Sequence, residues 1–408
     1  MCQVLGEGKR LEAVTELEKI LKDGDFTSKY RAAEALGRIG KIESAEPLTV
    51  FLTKESDADL KIAALDALAL LKQESAGSAV VAALNERQWR VKAAAIKALS
   101  TVRTKAALEP LVKIIAGDEG RLVEDAAKTL KELSGRDFGR DFQTWQVWYD
   151  REAKDPKYKL PTVDELARIE ARKAERPKAG ETGVVVERKG AEFLGVETKS
   201  KKIMFIIDTS GSMEDLIVDK DRYRNQHYPG FRKIDIVKEE LARTIQTLPA
   251  TTDFAIVTFA TKVKPWKKGQ LIQANPINKA AAIEFARGLE PIGGHSKEDL
   301  ASAGLGSAAA LGEGQTNTFG ALIFGLGTPQ RGVVEKGAGS EVDTVFFLSD
   351  GKPTTGDLVD TDEVLAAVKD ANSQKKLILH VLAIGDFEKG FMKRLAEENG
   401  GVFVDLGK

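Results

Sequence analysis

The sequence is poor in the residues that usually advertise chemistry. It has one cysteine and three histidines in 408 residues. A single cysteine, Cys2, excludes an intrachain disulfide. That fits a reducing compartment, although a large domain outside the cytoplasm can also lack cysteines. Cys2 directly after Met1 reads as incidental; the alternative is a lipidated N-terminus whose signal has been removed. No apolar run approaches ~18 residues, so no membrane span is expected, and no secretory signal is visible. A cytoplasmic location is the default expectation. Neither charge sign dominates, with 61 basic against 62 acidic residues. No global field therefore favours nucleic acid or an acidic partner. No G-x-x-x-x-G-K-[ST] loop occurs, which excludes a motor built on that loop. "GLGSAAALGEG" is glycine-rich but does not follow a strand, as a dinucleotide fingerprint requires. Three histidines give a Ser-His-Asp triad thin support.

What is present is 42% hydrophobic and 30% charged, a soluble globular composition. The length implies two or three domains. The first third is repetitive. Leu36, Leu68, Leu99 and Leu130 fall in matching places, 31 or 32 residues apart, and Leu48, Val80 and Leu111 repeat in a second register. Two helices per unit at a fixed period predict an α-solenoid, in which stacking buries apolar stripes that no unit can bury alone. The segments resemble about four short HEAT repeats, the first degraded around "LEAVTELEKIL". Short repeats of this kind also occur in chromophore-lyase relatives, but nothing else in the chain points to that chemistry. Residues 1–134 are read as this solenoid. Trp145, Trp148 and Tyr149 then cluster, as a cap on the last repeat. A charged linker helix is expected over Val163–Arg176, within a connecting region 135–183.

From residue 184 the pattern changes. A small hairpin in "GVVVERKGAEFLGVE" precedes alternating strands and helices, with a core over 201–408. "KIMFIID" is a near-continuous apolar run, as a central strand covered on both faces requires. The alternation predicts a doubly wound, mostly parallel α/β sheet. Ligands in such sheets sit beyond the carboxyl ends of the strands, and Asp208 and Asp350 are read as the last residues of two strands.

Three pieces meet at that edge. "DTSGS" gives Asp208, Ser210 and Ser212; "GQTNTFGAL" puts Thr316 ahead of a helix; "FFLSDG" ends in Asp350. Two carboxylates and three hydroxyls are hard oxygen donors, with no thiolate or imidazole for zinc or copper. They suit Mg²⁺ and admit Mn²⁺ or Ca²⁺. Ser210 and Ser212, two apart on a loop leaving a strand, can face one side.

D-x-S-x-S, a later T-N before a helix and a later strand ending in D-G resemble the von Willebrand factor type A domain and its metal-ion-dependent adhesion site. The resemblance covers roughly Lys201–Lys408. It implies that Ser210 and Ser212 touch the metal. It also implies that Thr316 does so directly or through water, and that Asp208 and Asp350 bind it or hold its waters. An open coordination position would then take an acidic side chain from a partner protein.

Two stretches depart from a compact domain of this type. One is "EDLIVDKDRYRNQHYPGFRK", ahead of a helix expected near Ile234. The other is "HSKEDLASAGLGSAAALGE". Both flank the metal loops, and His227, Tyr228, Arg232 and His295 on them are the candidate partner contacts. His380 is expected inside a strand, and Asp357 and Asp360 as ordinary loop acids. The leading expectation is a non-enzymatic, metal-dependent protein-binding module joined to a solenoid that holds a second partner. No nucleic-acid module surrounds the short basic patch. The alternatives are an accessory subunit of a MoxR- or chelatase-like ATPase system and a structural scaffold with incidental metal.

Overall fold

The computed structural model describes residues 2–117, 120–175, 191–217, 220, 228–293, 314–327, 341–385 and 388–406. These divide into two compact units, one ending at residue 175 and one beginning at 191.

The first unit is helical. After α1 (Cys2–Glu7) come four helix pairs: α2 (Val14–Asp23) with α3 (Phe26–Ile39), α4 (Ala45–Lys54) with α5 (Ala58–Leu71), α6 (Gly77–Ala82) with α7 (Trp89–Val102), and α8 (Leu108–Gly117) with α9 (Arg121–Ser134). The seven periodic residues named above are all buried in one continuous core. The ends of the pairs repeat as well. Gly40, Lys72, Arg103 and Gly135 all cap helices in the left-handed conformation. That conformation is natural for glycine and costs about 1–2 kcal/mol elsewhere. Arg103 has an offsetting contact, because its guanidinium donates to the carbonyls of Glu132 and Leu133 at the end of α9 and to that of Pro161. The Glu132 and Leu133 carbonyls, in the last turn of α9, have no partner within their own helix. Repeats are also joined inside the core: Arg90 Nη1 lies 2.7 Å from Asp59 Oδ1, one period away. After α9, α10 (Phe142–Trp148) places Trp145 and Trp148 in the same core, with Phe138 edge-on to Trp145. Helix α11 covers Val163–Glu175.

The second unit is a sheet with helices on both faces. A hairpin of β1 (Ala191–Phe193) and β2 (Val196–Thr198) leads into β3 (Lys202–Asp208). There follow α12 (Lys233–Thr247), β4 (Asp253–Phe259), β5 (Val263–Pro265), β6 (Ile272–Gln273), α13 (Pro276–Arg287), α14 (Thr318–Leu326), β7 (Thr344–Ser349), α15 (Thr361–Lys375), β8 (Ile378–Ala383), α16 (Lys389–Glu397) and β9 (Phe403–Asp405). The sheet order is β5-β4-β3-β7-β8-β9, with β6 also on β4. β4, β3, β7, β8 and β9 run parallel, while β5 and β6 pair antiparallel with β4. Alternate residues of β3 enter different cores. Ile203, Phe205 and Ile207 pack with α12 and α13; Met204 and Ile206 pack with α14, α15 and α16. Burial on both faces is why "KIMFIID" shows no polar alternation. β7 ends at Ser349, so Asp350 is the first residue past the strand rather than its last. α12 begins at Lys233, one residue before the expected start.

Candidate metal centre

The chain passes from β3 to β4 on one side and later returns to β7 on the other. β3 and β7 thus flank the point where strand order reverses, and the crevice beyond their carboxyl ends is where such sheets place ligands. Asp208 enters it fully buried. Strand pairing continues one residue further, with the Thr209 N–H on the Phe259 carbonyl at 2.7 Å. The chain then turns. The Ser210 N–H donates to Asp208 Oδ1 at 2.8 Å, and the Gly211 N–H to the Gly314 carbonyl at 2.9 Å. A short helical turn over Gly211–Glu214 follows and leaves the Ser210 and Ser212 hydroxyls 3.2 Å apart.

The second strand end closes on the first. The Ser212 hydroxyl donates to Asp350 Oδ1 at 2.9 Å, and the Ser349 hydroxyl to Asp208 Oδ2 at 2.5 Å. Thr316 reaches the same edge through its neighbours. Gly314 is bonded to Gly211, and the Asn317 N–H bonds the carbonyl of Ala260, just past β4. Asn317 also caps α14 by accepting from Gly320. The Thr316 N–H donates to Thr354 Oγ1 at 2.8 Å, and its carbonyl accepts from the Thr354 N–H at 3.0 Å. These bonds use only the backbone of Thr316. Asp208, Ser210, Thr316 and Asp350 are buried, whereas Ser212 is exposed, so the group opens on the Ser212 side.

Its electrostatics are one-sided. Burial, and then the charge of Asp350, push Asp208 up to about 7, against the pull of the Ser210 and Ser349 hydrogen bonds. Lys233, at the start of α12, answers Asp350 instead. Its Nζ lies 2.8 Å from Asp350 Oδ2 and 3.3 Å from Asp215 Oδ2. Burial works against this ammonium, but Asp350 and Asp215 outweigh it and hold its pKa above the ordinary value. Lys233, Ser349 and Thr354 were not among the residues expected from sequence. Ser349 adjoins Asp350 and was within reach of a local reading; Lys233 lies across an insertion from Ser212 and carried no signal.

The donor set fits a hard divalent cation. Neighbouring oxygens of an octahedral Mg²⁺ shell with ~2.1 Å bonds stand about 3 Å apart. The Ser210–Ser212 and Ser212–Asp350 separations, 3.2 and 2.9 Å, match that edge. Among the described residues, no cluster of three or more His, Cys, Asp or Glu could hold a metal. Hydroxyls are therefore integral to any site here.

Both departures from a compact domain have closed necks. The Leu216–Arg232 bridge and the Ile217 N–H on the Phe231 carbonyl close the first. Gly293 and Gly314 close the second: a Cβ on Gly293, where φ is +85°, would lie 2.8 Å from Gly314 Cα. His227 and His295 lie outside the described residues. Tyr228 donates to Glu240 at 2.8 Å and sits under the Arg243 guanidinium. Arg232 is held by Asp235 and Glu290. His380 is a strand residue, stacked on Phe346 and accepting from the Val402 N–H. Asp360 caps α15, and Asp357 is exposed.

Family models match the two units separately, HEAT repeats over residues 1–69 and 45–131 and the von Willebrand factor type A domain over 225–405. The family is thus seen segment by segment: the first unit matches HEAT repeats and the second matches the von Willebrand factor type A domain. A protein similar to this chain, the inter-alpha-trypsin inhibitor heavy chain H1 of Mesocricetus auratus, is 27% identical over 209 residues. That match covers 50% of the present chain and 18% of the relative's length, so the chain spans under a fifth of it. Among solved structures, a von Willebrand factor type A protein from Catenulispora acidiphila is 21% identical, covering 51% of this chain and 39% of that one at a TM-score of 0.31. Proximal thread matrix protein 1 from the mussel byssus, whose adhesion-site motif is occupied by zinc, is 18% identical, covering 50% and 41% at a TM-score of 0.30. Among the described residues of the present chain, no helix is long and apolar enough to cross a membrane.

Proposed function

We propose that the von Willebrand A unit binds a divalent cation through Asp208, Ser210, Ser212, Thr316 and Asp350, and that it uses the ion to capture an acidic side chain of a partner protein. The observation that carries this reading is the continuous run from Ser210 through Ser212 to Asp350 beside a buried Asp208, open on the Ser212 side. The bound ion would act as a Lewis acid for a partner carboxylate. The chain's own residues fix its surroundings. Ser349 holds one Asp208 oxygen, Lys233 holds one Asp350 oxygen, and Thr354 holds the backbone of Thr316. Mg²⁺ suits this oxygen set, with Mn²⁺ and Ca²⁺ as substitutes. We read the site as binding rather than catalytic. The one described histidine of this unit, His380, is engaged within the sheet, so among the described residues no imidazole accompanies the hydroxyls.

The solenoid supplies a second surface in this proposal. Leu11 and Ile42 are both exposed, 31 residues apart, at the first position of corresponding connecting turns. Segments 218–230 and 294–313, which lie almost wholly outside the described residues, would select the partner. Calorimetric titration with Mg²⁺, Mn²⁺, Ca²⁺ and Zn²⁺ tests the metal reading, with saturable binding expected for the wild type and none for Asp208→Ala. Equal binding by both proteins would refute it. Capture of a partner that is lost both with chelator and in Ser210→Ala tests the recognition step.

A further inference from the structure

The lysine beneath the site carries a consequence for how strongly an ion is held and what it can still attract. The Lys233 side chain is 8% exposed and takes the Asp350 oxygen that Ser212 does not: Asp350 Oδ2 faces Nζ, while Asp350 Oδ1 faces the Ser212 hydroxyl. Its stem is confined. Gly385, two residues past β8 with φ +88°, lies so close that a Cβ there would sit 2.5 Å from Lys233 Cε and 2.9 Å from Nζ. Only a glycine with a left-handed backbone leaves that channel open. Three chain segments thus converge to hold one ammonium against one metal-site carboxylate: the start of α12, the end of β7 and the turn after β8.

Asp208 and Asp350 together cancel a divalent ion. Lys233 adds one positive charge, and Asp215 answers it with one negative. Those last two do not cancel evenly, because the Asp215 side chain is 40% exposed and the Lys233 side chain is 8% exposed. Water and salt screen the exposed charge far more than the buried one. Deep in the site the loaded centre remains net positive.

We propose that Lys233 is the resident counter-ion of this site: it weakens the hold on the divalent ion and reserves part of that ion's positive charge for an incoming carboxylate. Without Lys233, Asp350 would give its full charge to the metal, the metal would bind more tightly, and the loaded site would attract a partner's acid less. The lysine thus exchanges metal affinity for carboxylate affinity. This inference rests on the metal-binding reading above.

The test uses the full chain. Mn²⁺ affinity is measured by calorimetry for wild type, Lys233→Met and Lys233→Arg. Acetate, as the carboxylate probe, is then titrated into each Mn²⁺-loaded protein and followed by water-proton relaxation. Lys233→Met is expected to bind Mn²⁺ about tenfold more tightly and acetate several-fold more weakly, as loss of a unit charge a few ångströms from the ion requires. Lys233→Arg, which keeps the charge, is expected to stay closer to wild type in both. Asp215→Asn removes the screened opposing charge near the exposed rim and should shift both affinities the other way by less; Lys233→Gln serves if Lys233→Met does not fold. Unchanged or weaker Mn²⁺ binding by folded Lys233→Met, or by Lys233→Gln where Lys233→Met does not fold, overturns the inference while leaving the metal site standing. Absence of Mn²⁺ binding by the wild type instead defeats the metal reading beneath it.

Discussion

Each unit buries a carboxylate, and the two are treated differently. Asp59 in the solenoid is 1% exposed and faces Arg90 at 2.7 Å, so its charge is matched by a residue one repeat along. Asp208 at the sheet edge is 0% exposed and receives hydrogen bonds from Ser210 and Ser349, with the like charge of Asp350 as its neighbour. Burial is the same; compensation is not. A buried charge with a built-in partner holds architecture together. A buried charge given only dipoles is where a cation from outside gains the most.

Removing one carboxylate from each unit should therefore have opposite results. Asp208→Asn is expected to lower divalent-ion affinity by about a hundredfold or more, since affinity at oxygen sites follows ligand charge. It should leave the metal-free fold intact. Asp59→Asn is expected to leave metal binding unchanged but to destabilise the chain by about 3–5 kcal/mol, because it breaks a buried ion pair with Arg90. Calorimetry for the first and denaturant unfolding for the second decide the matter. A large stability loss in metal-free Asp208→Asn would erase the contrast.

The same contrast predicts a pH dependence. Asp208 is raised from 3.8 to about 7, so the fold favours its neutral form. That contribution to metal-free stability is fully present below the unfolded value and is lost as pH rises through about 7. A divalent ion favours the ionised carboxylate and competes with the proton. The stability gained from Mg²⁺ should therefore widen from about pH 5 to about pH 8, and Asp208→Asn should flatten that difference. Thermal unfolding with and without Mg²⁺ across that range measures it. A gain that narrows with pH would assign the titration to another group.

Much of this was legible in the chain because burial leaves a pattern. Leu36, Leu68, Leu99 and Leu130 revealed the solenoid because stacking repeats demands the same residue at the same place. "KIMFIID" revealed a central strand because both faces are covered. Asp208 and Asp350 stood out because a carboxylate at the end of such a run has no packing role. Lys233 did not stand out. A lysine at a helix start looks like any solvated residue, and only the tertiary approach of Asp350, 117 positions away, gives it a task. Thr354 was hidden likewise, since its bond to Thr316 spans 38 residues. Arg232 and Tyr228 were read as partner contacts from local composition, which does not reveal that Asp235, Glu290 and Glu240 engage them.

A smaller substitution refines the comparison further. Thr101 in the solenoid donates its hydroxyl to the Ala69 carbonyl at 2.9 Å, tying one repeat to the next. Thr354 offers its hydroxyl to the Thr316 N–H at 2.8 Å, tying a metal-site residue to the loop after β7. Valine at either position removes one side-chain-to-backbone hydrogen bond while keeping the shape, and each should cost about 1 kcal/mol of stability. Equal costs in stability should not mean equal costs in function. Thr101→Val is expected to leave Mg²⁺ affinity as it was. Thr354→Val removes the acceptor of the Thr316 N–H and should weaken Mg²⁺ binding a few-fold, because a donor of the proposed site holds its place only while its supporting bonds do. Unfolding curves and Mg²⁺ titrations on the same two variants separate the outcomes. If both lose affinity alike, the metal site senses global stability rather than the local support that Thr354 supplies.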